Sequence, residues 1–185
     1  MSTTVTRTKP TTPTDAIALL ESDHRTVEAL FKKYEKTDDT DAKADIAKEI
    51  CKDLIIHTMI EEEIFYPGVK DSVEDDLYNE AFVEHDGAKV LIAELIAGSP
   101  DDDFYDAKVK VLSEMIKHHV TEEEQRDGLF AQAKRNGADL QGLGEEMSAR
   151  KEELSAQFDR DGLPPPQTKS MDGGEIEMGE KAEAA

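Results

Sequence analysis

Thiol chemistry has almost nothing to work with in this chain. Cys51 is the one cysteine in 185 residues, which excludes an intramolecular disulfide and a thiolate metal cluster. A lone cysteine of this kind reads as a buried or half-buried packing residue. Positive charge is scarce as well. Lys and Arg number 22 against 43 Asp and Glu, and the resulting net charge of -21 repels phosphate backbones and anionic lipid surfaces. Nucleic acid and membrane are therefore poor partners. No apolar run approaches the ~20 residues of a membrane span, and the Thr- and Pro-rich opening has no apolar stretch of the signal-peptide kind. A cytoplasmic protein is the expectation. Neither a GxGxxG nor a Walker A pattern occurs, and there is no Ser-His-Asp order or cysteine nucleophile arrangement, so nucleotide-dependent and nucleophilic chemistry lack support.

What the chain does have is helical periodicity. After a flexible lead-in over residues 1–13, Thr14 or Asp15 serves as an N-cap, and Ile17, Leu20, His24, Val27, Phe31 and Tyr34 step by three and four along one stripe. A second helix starts near Asp41, carries Ile46, Ile50, Leu54, His57, Glu61 and Ile64 on its stripe, and is expected to stop at Pro67 and Gly68. A third stripe runs through Leu77, Ala81, His85, Ala88, Ile92 and Leu95, and a fourth through Tyr105, Val109, Leu112, Ile116, His119 and Glu123. No segment alternates with period two and the connections are short. The economical architecture is an all-α, up-down-up-down four-helix bundle over residues 14–136. A trailing helix over residues 137–160, delayed or interrupted by Gly142 and Gly144, is expected to pack on the bundle, and an acidic tail over residues 161–185 to be disordered.

The four stripes share one unusual property: each contains a histidine. His24, His57, His85 and His119 all fall on apolar stripes, an outcome with a chance of roughly 1% if histidines were placed independently of a two-in-seven seam. Two of them, His57 and His119, are followed four residues later by Glu61 and Glu123, which places an imidazole and a carboxylate on the same helix face. Burying such groups among Leu and Ile costs several kcal/mol unless something pairs with them, and a divalent cation does so well. On helix four, His118 with Glu122 is the competing register. Its stripe carries Lys108, so His119 with Glu123 is preferred and His118 is left as a flanking or supporting residue. The acidic runs at 61–63 and 122–124 otherwise read as solvated faces. Mixed nitrogen and oxygen donors suit Fe, Mn or Zn.

Asp23-His24-Arg25, the run His57-Thr58-Met59-Ile60-Glu61-Glu62-Glu63-Ile64-Phe65-Tyr66-Pro67, Glu84-His85, and His118-His119-Val120-Thr121-Glu122-Glu123-Glu124 together resemble the hemerythrin-like HHE cation-binding family over roughly residues 15–135. The resemblance implies a four-helix bundle with a non-haem di-iron centre, oxo- or carboxylate-bridged. Its ligands would be His24, His57, His85, one helix-four histidine and bridging Glu61 and Glu123. It also implies that two iron ions meet a small ligand such as O2, NO or peroxide. The chain departs from the oxygen carriers, which have a His-x-x-x-His pair on the third helix. Four residues after His85 stands Lys89, read here as a solvated face residue or a hydrogen-bond donor to a bound oxygen species. Simple oxygen carriage is therefore not carried over. A catalase- or peroxidase-like enzyme, an iron- or oxygen-responsive regulatory module, and a metal-free scaffold stay open as alternatives.

Overall fold

The structure is a computed structural model and describes residues 15–171. Four long helices make the bundle: α1 (Ala16–Tyr34), α2 (Thr40–Ile60), α4 (Asp75–Ala97) and α5 (Tyr105–Glu124). Between α2 and α4 lies the one-turn α3 (Tyr66–Val69); α6 (Leu129–Arg135) and α7 (Leu140–Asp161) follow the bundle. The long helices pack in a ring, α1 on α2, α2 on α4, α4 on α5 and α5 back on α1. This is the all-α arrangement that the stripes predict.

Helix starts follow local chemistry. Asp15 and Asp39 cap α1 and α2 by accepting from the N–H groups of Ala18 and Ala42, both at 2.9 Å. Each cap satisfies a donor that the first turn leaves without an intrahelical partner. Inside the ring, Leu20, Ile50, Ile60, Ile92 and Leu112 are fully buried. Each such aliphatic side chain contributes about 1.5–3 kcal/mol by leaving water.

α2 does not stop at Pro67. It runs on through a π-helical turn, Glu61–Phe65, in which the Tyr66 N–H donates to the Glu61 carbonyl five residues back. Pro67 then sits in the first turn of α3, where the N–H it lacks is not needed. The wider turn inserts an extra residue and shifts the inward face. Glu61, Glu62, Phe65 and Tyr66 are all buried as a result.

The trailing helix forms as expected, capped by Asp139 and packed against α1 and α2. Gly144 does not interrupt it. A Cβ there would lie 2.6 Å from the Ala16 nitrogen, so the glycine is what allows α7 to approach the start of α1. The lead-in expected over residues 1–13 lies outside the described residues. So does most of the acidic tail expected over 161–185; its first residue, Asp161, still belongs to α7, and 162–171 is free of helix and reaches back to α4.

Candidate metal centre

The six residues singled out by their stripes converge. His24, His57, Glu61, His85, His119 and Glu123 are between 0% and 6% exposed, and no other part of the bundle collects buried imidazoles. The four rings meet as two facing pairs, His24 Nε2 to His57 Nε2 at 3.1 Å and His85 Nε2 to His119 Nε2 at 3.1 Å. Glu61 Oε2 lies 3.2 Å from His57 Nε2 and 3.3 Å from His85 Nε2, so it touches both pairs. Glu123 Oε2 does the same for His24 at 3.4 Å and His119 at 3.6 Å. Of the competing registers on α5, the structure turns His119 inward and leaves the His118 side chain 64% exposed.

Every outer ring nitrogen meets a carboxylate that comes from a neighbouring helix. Asp23, beside His24 on α1, faces His57 Nδ1 at 3.6 Å. Glu62, beside Glu61, accepts from His85 Nδ1 at 3.0 Å; Glu84, beside His85, accepts from His119 Nδ1 at 2.8 Å; Glu124, beside Glu123, accepts from His24 Nδ1 at 2.7 Å. The chain neighbour of each inward group thus supports the histidine of an adjacent helix, and the supports close a ring around the bundle. A proton held on Nδ1 of His85, His119 and His24 by Glu62, Glu84 and Glu124 leaves their Nε2 lone pairs pointing inward.

Two lone pairs facing at 3.1 Å repel unless something electropositive lies between or beside them. The carboxylates show the same deficit. Both oxygens of Glu61 and Oε2 of Glu123 are buried without a hydrogen-bond donor, a state that costs about 1–3 kcal/mol or more per group. Burial, reinforced by Glu123, Glu62 and Asp23, pushes the Glu61 carboxyl well above its usual range, and burial raises Glu123 too. Burial together with the neighbouring imidazoles drives His24 and His85 far down. At His119 burial acts in the same direction, but Glu123, Glu84 and Glu122 outweigh it and the net shift is upward. A cation stabilises ionised carboxylates and neutral imidazoles together. The donor atoms of His24, His57 and Glu61, and those of Glu61, His85 and His119, lie within 4.8 Å of one another. This set fits a pair of metal ions with Glu61 common to both.

Two sequence expectations fail at the edge of this cluster. Lys89 is not solvated. It is 4% exposed and donates to Glu62 at 2.6 Å and Asp86 at 3.1 Å, a buried ammonium between two carboxylates. Glu62 is not on a solvated face either, because the π-helical turn carries it inward with Glu61. Asp86, fully buried, accepts in addition from the N–H groups of Lys169, Ser170 and Met171 and from Ser170 Oγ at 2.7 Å. Tyr66, also fully buried, donates to Glu123 Oε1 at 3.1 Å, and burial keeps its phenol protonated far beyond the usual range.

A cavity of about 180 Å³ adjoins the cluster, walled by Val27, Leu54, Ile116 and Val120 and touching all four inward histidines. Its polar edge is Asp23, Asp53 and Lys151, the last paired with Asp23 and supplied by α7. Among the described residues no helix is long and apolar enough to cross a membrane.

Comparison with known proteins agrees with this fold. The chain is 29% identical over 118 residues to a protein named DNA nickase from Nostoc sp., covering 64% of this chain but only 33% of that protein. The chain thus spans about a third of the curated relative it matches. A solved structure of a hemerythrin HHE cation binding domain-containing protein from Mycobacterium kansasii superposes with a TM-score of 0.67 at 24% identity, over 80% of this chain and 94% of the other, and shares its fold. Residues 15–131 match the model of the family described as the hemerythrin HHE cation binding domain. That span includes all four inward histidines, both inward glutamates and the carboxylates behind them, and the chain belongs to this family.

Proposed function

We propose that the protein binds two iron ions through His24, His57, Glu61, His85, His119 and Glu123 and brings them to a small ligand of the O2, NO or peroxide class. The observation that carries this reading is the pair of facing Nε2 atoms beside carboxylate oxygens that lack any donor. Mn and Zn satisfy the same donors, and iron is favoured by family membership. When bound, the iron pair supplies open coordination positions and one-electron chemistry toward such ligands.

The chain's own residues do the rest. Glu62, Glu84 and Glu124 hold the Nδ1 protons of His85, His119 and His24 and so fix the direction of those rings, while Asp23 faces His57 Nδ1 at 3.6 Å without a hydrogen bond. Val27, Leu54, Ile116 and Val120 exclude bulk water from the cavity while leaving room for a diatomic or triatomic molecule. Turnover of peroxide is the second reading, favoured by Tyr66, whose protonated hydroxyl lies 3.1 Å from Glu123 and 3.2 Å from His85. The name DNA nickase belongs to the whole of a longer relative, and the -21 charge of this chain opposes a phosphate backbone, so no nicking is proposed for it.

The deciding experiment is metal content and ultraviolet-visible absorption of protein purified under iron-replete conditions, beside a His57→Ala variant. Two irons per chain, lost with their absorption bands in the variant, support the reading. Absence of metal, or equal content in the two proteins, overturns it. Oxygen evolved from added peroxide no faster than with free iron removes the enzymatic alternative.

A further inference from the structure

The ring of supporting carboxylates is regular except at one position. Asp23 pairs with Lys151, Glu62 with Lys89, and Glu124 with Arg25. Each of these three carries a neutralising cation beside its histidine, on the same oxygen in Glu62 and Glu124 and on the other oxygen in Asp23. Glu84 does not. Its second oxygen, Oε1, faces His118 Nε2 at 3.3 Å, and His118 Nε2 in turn faces Glu122 Oε1 at 3.3 Å. Among the described residues, the ion pairs of Glu84 and Glu122 are to histidines alone. Where the other three positions have a lysine or arginine, this one has an imidazole and a further carboxylate.

That substitution has a chemical meaning. An imidazole has a ring nitrogen lone pair that a lysine or arginine lacks, and two carboxylates with one imidazole are a donor set for a divalent transition-metal ion. The three donor atoms lie within 4.8 Å of one another. Unlike the buried cluster they are open to solvent, with the His118, Glu122 and Glu84 side chains 64%, 26% and 18% exposed. Behind them a crevice of about 10 Å³, close to the volume that admits one water-sized body, is lined by Glu84, Glu122, His119 and Glu123. Glu123 Oε2 is a buried acceptor without a hydrogen-bond donor. Glu84, which accepts from His119 Nδ1 and faces His118, thus links the outer cluster to the inner one, and the crevice is lined by residues of both.

We infer that Glu84, His118 and Glu122 form a separate surface site for a divalent transition-metal ion, placed to pass ions inward to the buried centre. The destination rests on the reading of that centre given above; the surface site does not. His118 then has a role that its exposed position alone leaves unexplained.

Equilibrium dialysis of the full chain against Zn2+ tests the site, and stopped-flow uptake of limiting Fe2+ by the metal-free chain tests the passage. Both are measured for the unaltered protein, His118→Ala, Glu122→Gln and His57→Ala. The expected result is one weaker Zn2+ beyond the tightly held ions, lost in His118→Ala and Glu122→Gln but kept in His57→Ala. Uptake of Fe2+ slows about tenfold in the two surface variants with the final content unchanged. An equal Zn2+ count in the unaltered protein and His118→Ala overturns the surface site. Loss of the weaker ion with no change in uptake rate overturns the passage. If tight ions are absent while the weaker one still depends on His118, the buried centre is the reading that fails and the surface site stands.

Discussion

The chain contains two segments of nearly the same design, His57-Thr58-Met59-Ile60-Glu61-Glu62-Glu63 at the end of α2 and His119-Val120-Thr121-Glu122-Glu123-Glu124 at the end of α5, and the bundle treats them differently. Past Glu61 the first continues through the π-helical turn, takes Glu62 inside and seals it with Lys89. Past Glu123 the second simply ends, and Glu124 stays at the rim, 24% exposed, with Arg25 over it. The same motif therefore gives one support that is buried and one that is wet. What decides is the continuation of the helix, since the i, i+4 spacing is common to both.

The widest separation between the two is expected in stability. Lys89→Met leaves Glu62 and Asp86 without their buried ammonium, with only the more exposed Lys169 still facing Glu62 at 3.6 Å, which costs about 3–5 kcal/mol and lowers the melting temperature by about 10 °C. Arg25→Ala removes the corresponding cation at the rim and costs under about 1 kcal/mol. Thermal unfolding of the two variants side by side checks this, and equal shifts would show that the two supports are equivalent after all. Metal affinity should divide the same way. Glu62→Gln is expected to weaken binding about a hundredfold and Glu124→Gln about tenfold, read by competition with a chelator; the reverse order would place the tighter support on α5.

A smaller contrast lies in the glycines that follow each motif. A Cβ on Gly128 would meet the carbonyl oxygens of Glu122 and Glu123 at 2.2 and 2.7 Å, whereas one on Gly68 would meet only the side chain of Leu143. Backbone cannot move aside as a leucine rotamer can. Gly128→Ala should cost about 1–3 kcal/mol and disturb metal binding through Glu123, while Gly68→Ala should leave metal content unchanged; calorimetry with metal analysis separates the outcomes. The smallest effect concerns the approach to the first motif. Cys51, on α2 before His57, is 1% exposed and burial pushes its thiol up to about 12. Alkylation by iodoacetamide at pH 8 should therefore be negligible in the folded protein with or without metal. Rapid labelling, followed by mass spectrometry, would mean that α2 opens upstream of its motif.

Much of this was legible in the sequence because a 3.6-residue period is written in it. Each stripe carried its histidine inward, and on α5 the stripe free of lysine, the one through His119, is the buried one. The supports were not legible. Asp23, Glu62, Glu84 and Glu124 each serve a histidine on another helix, and a pattern read along one helix says nothing about who faces its flank. The signal that was present is adjacency: each is the chain neighbour of an inward residue. Lys89 was misread for the same reason, since a charged residue on a helix is solvated unless its partners come from elsewhere, here Glu62 through the π-helical turn and Asp86 one turn back. The turn itself was hidden because Pro67 is ordinarily a stop, and only the i to i+5 bond removes the conflict.

Asp86 sets an order of events during synthesis. Its carboxylate belongs to the chain that holds Lys89 and Glu62 behind His85, yet its N–H and hydroxyl donors arrive with Ser170, 84 residues later. A ribosome that has released all four helices of the bundle has still not delivered them. The wiring behind one wall of the histidine cluster is thus completed only when translation has passed well beyond the last residue of that cluster, and a nascent bundle waits, with a half-satisfied acid at its heart, for a segment 84 residues downstream.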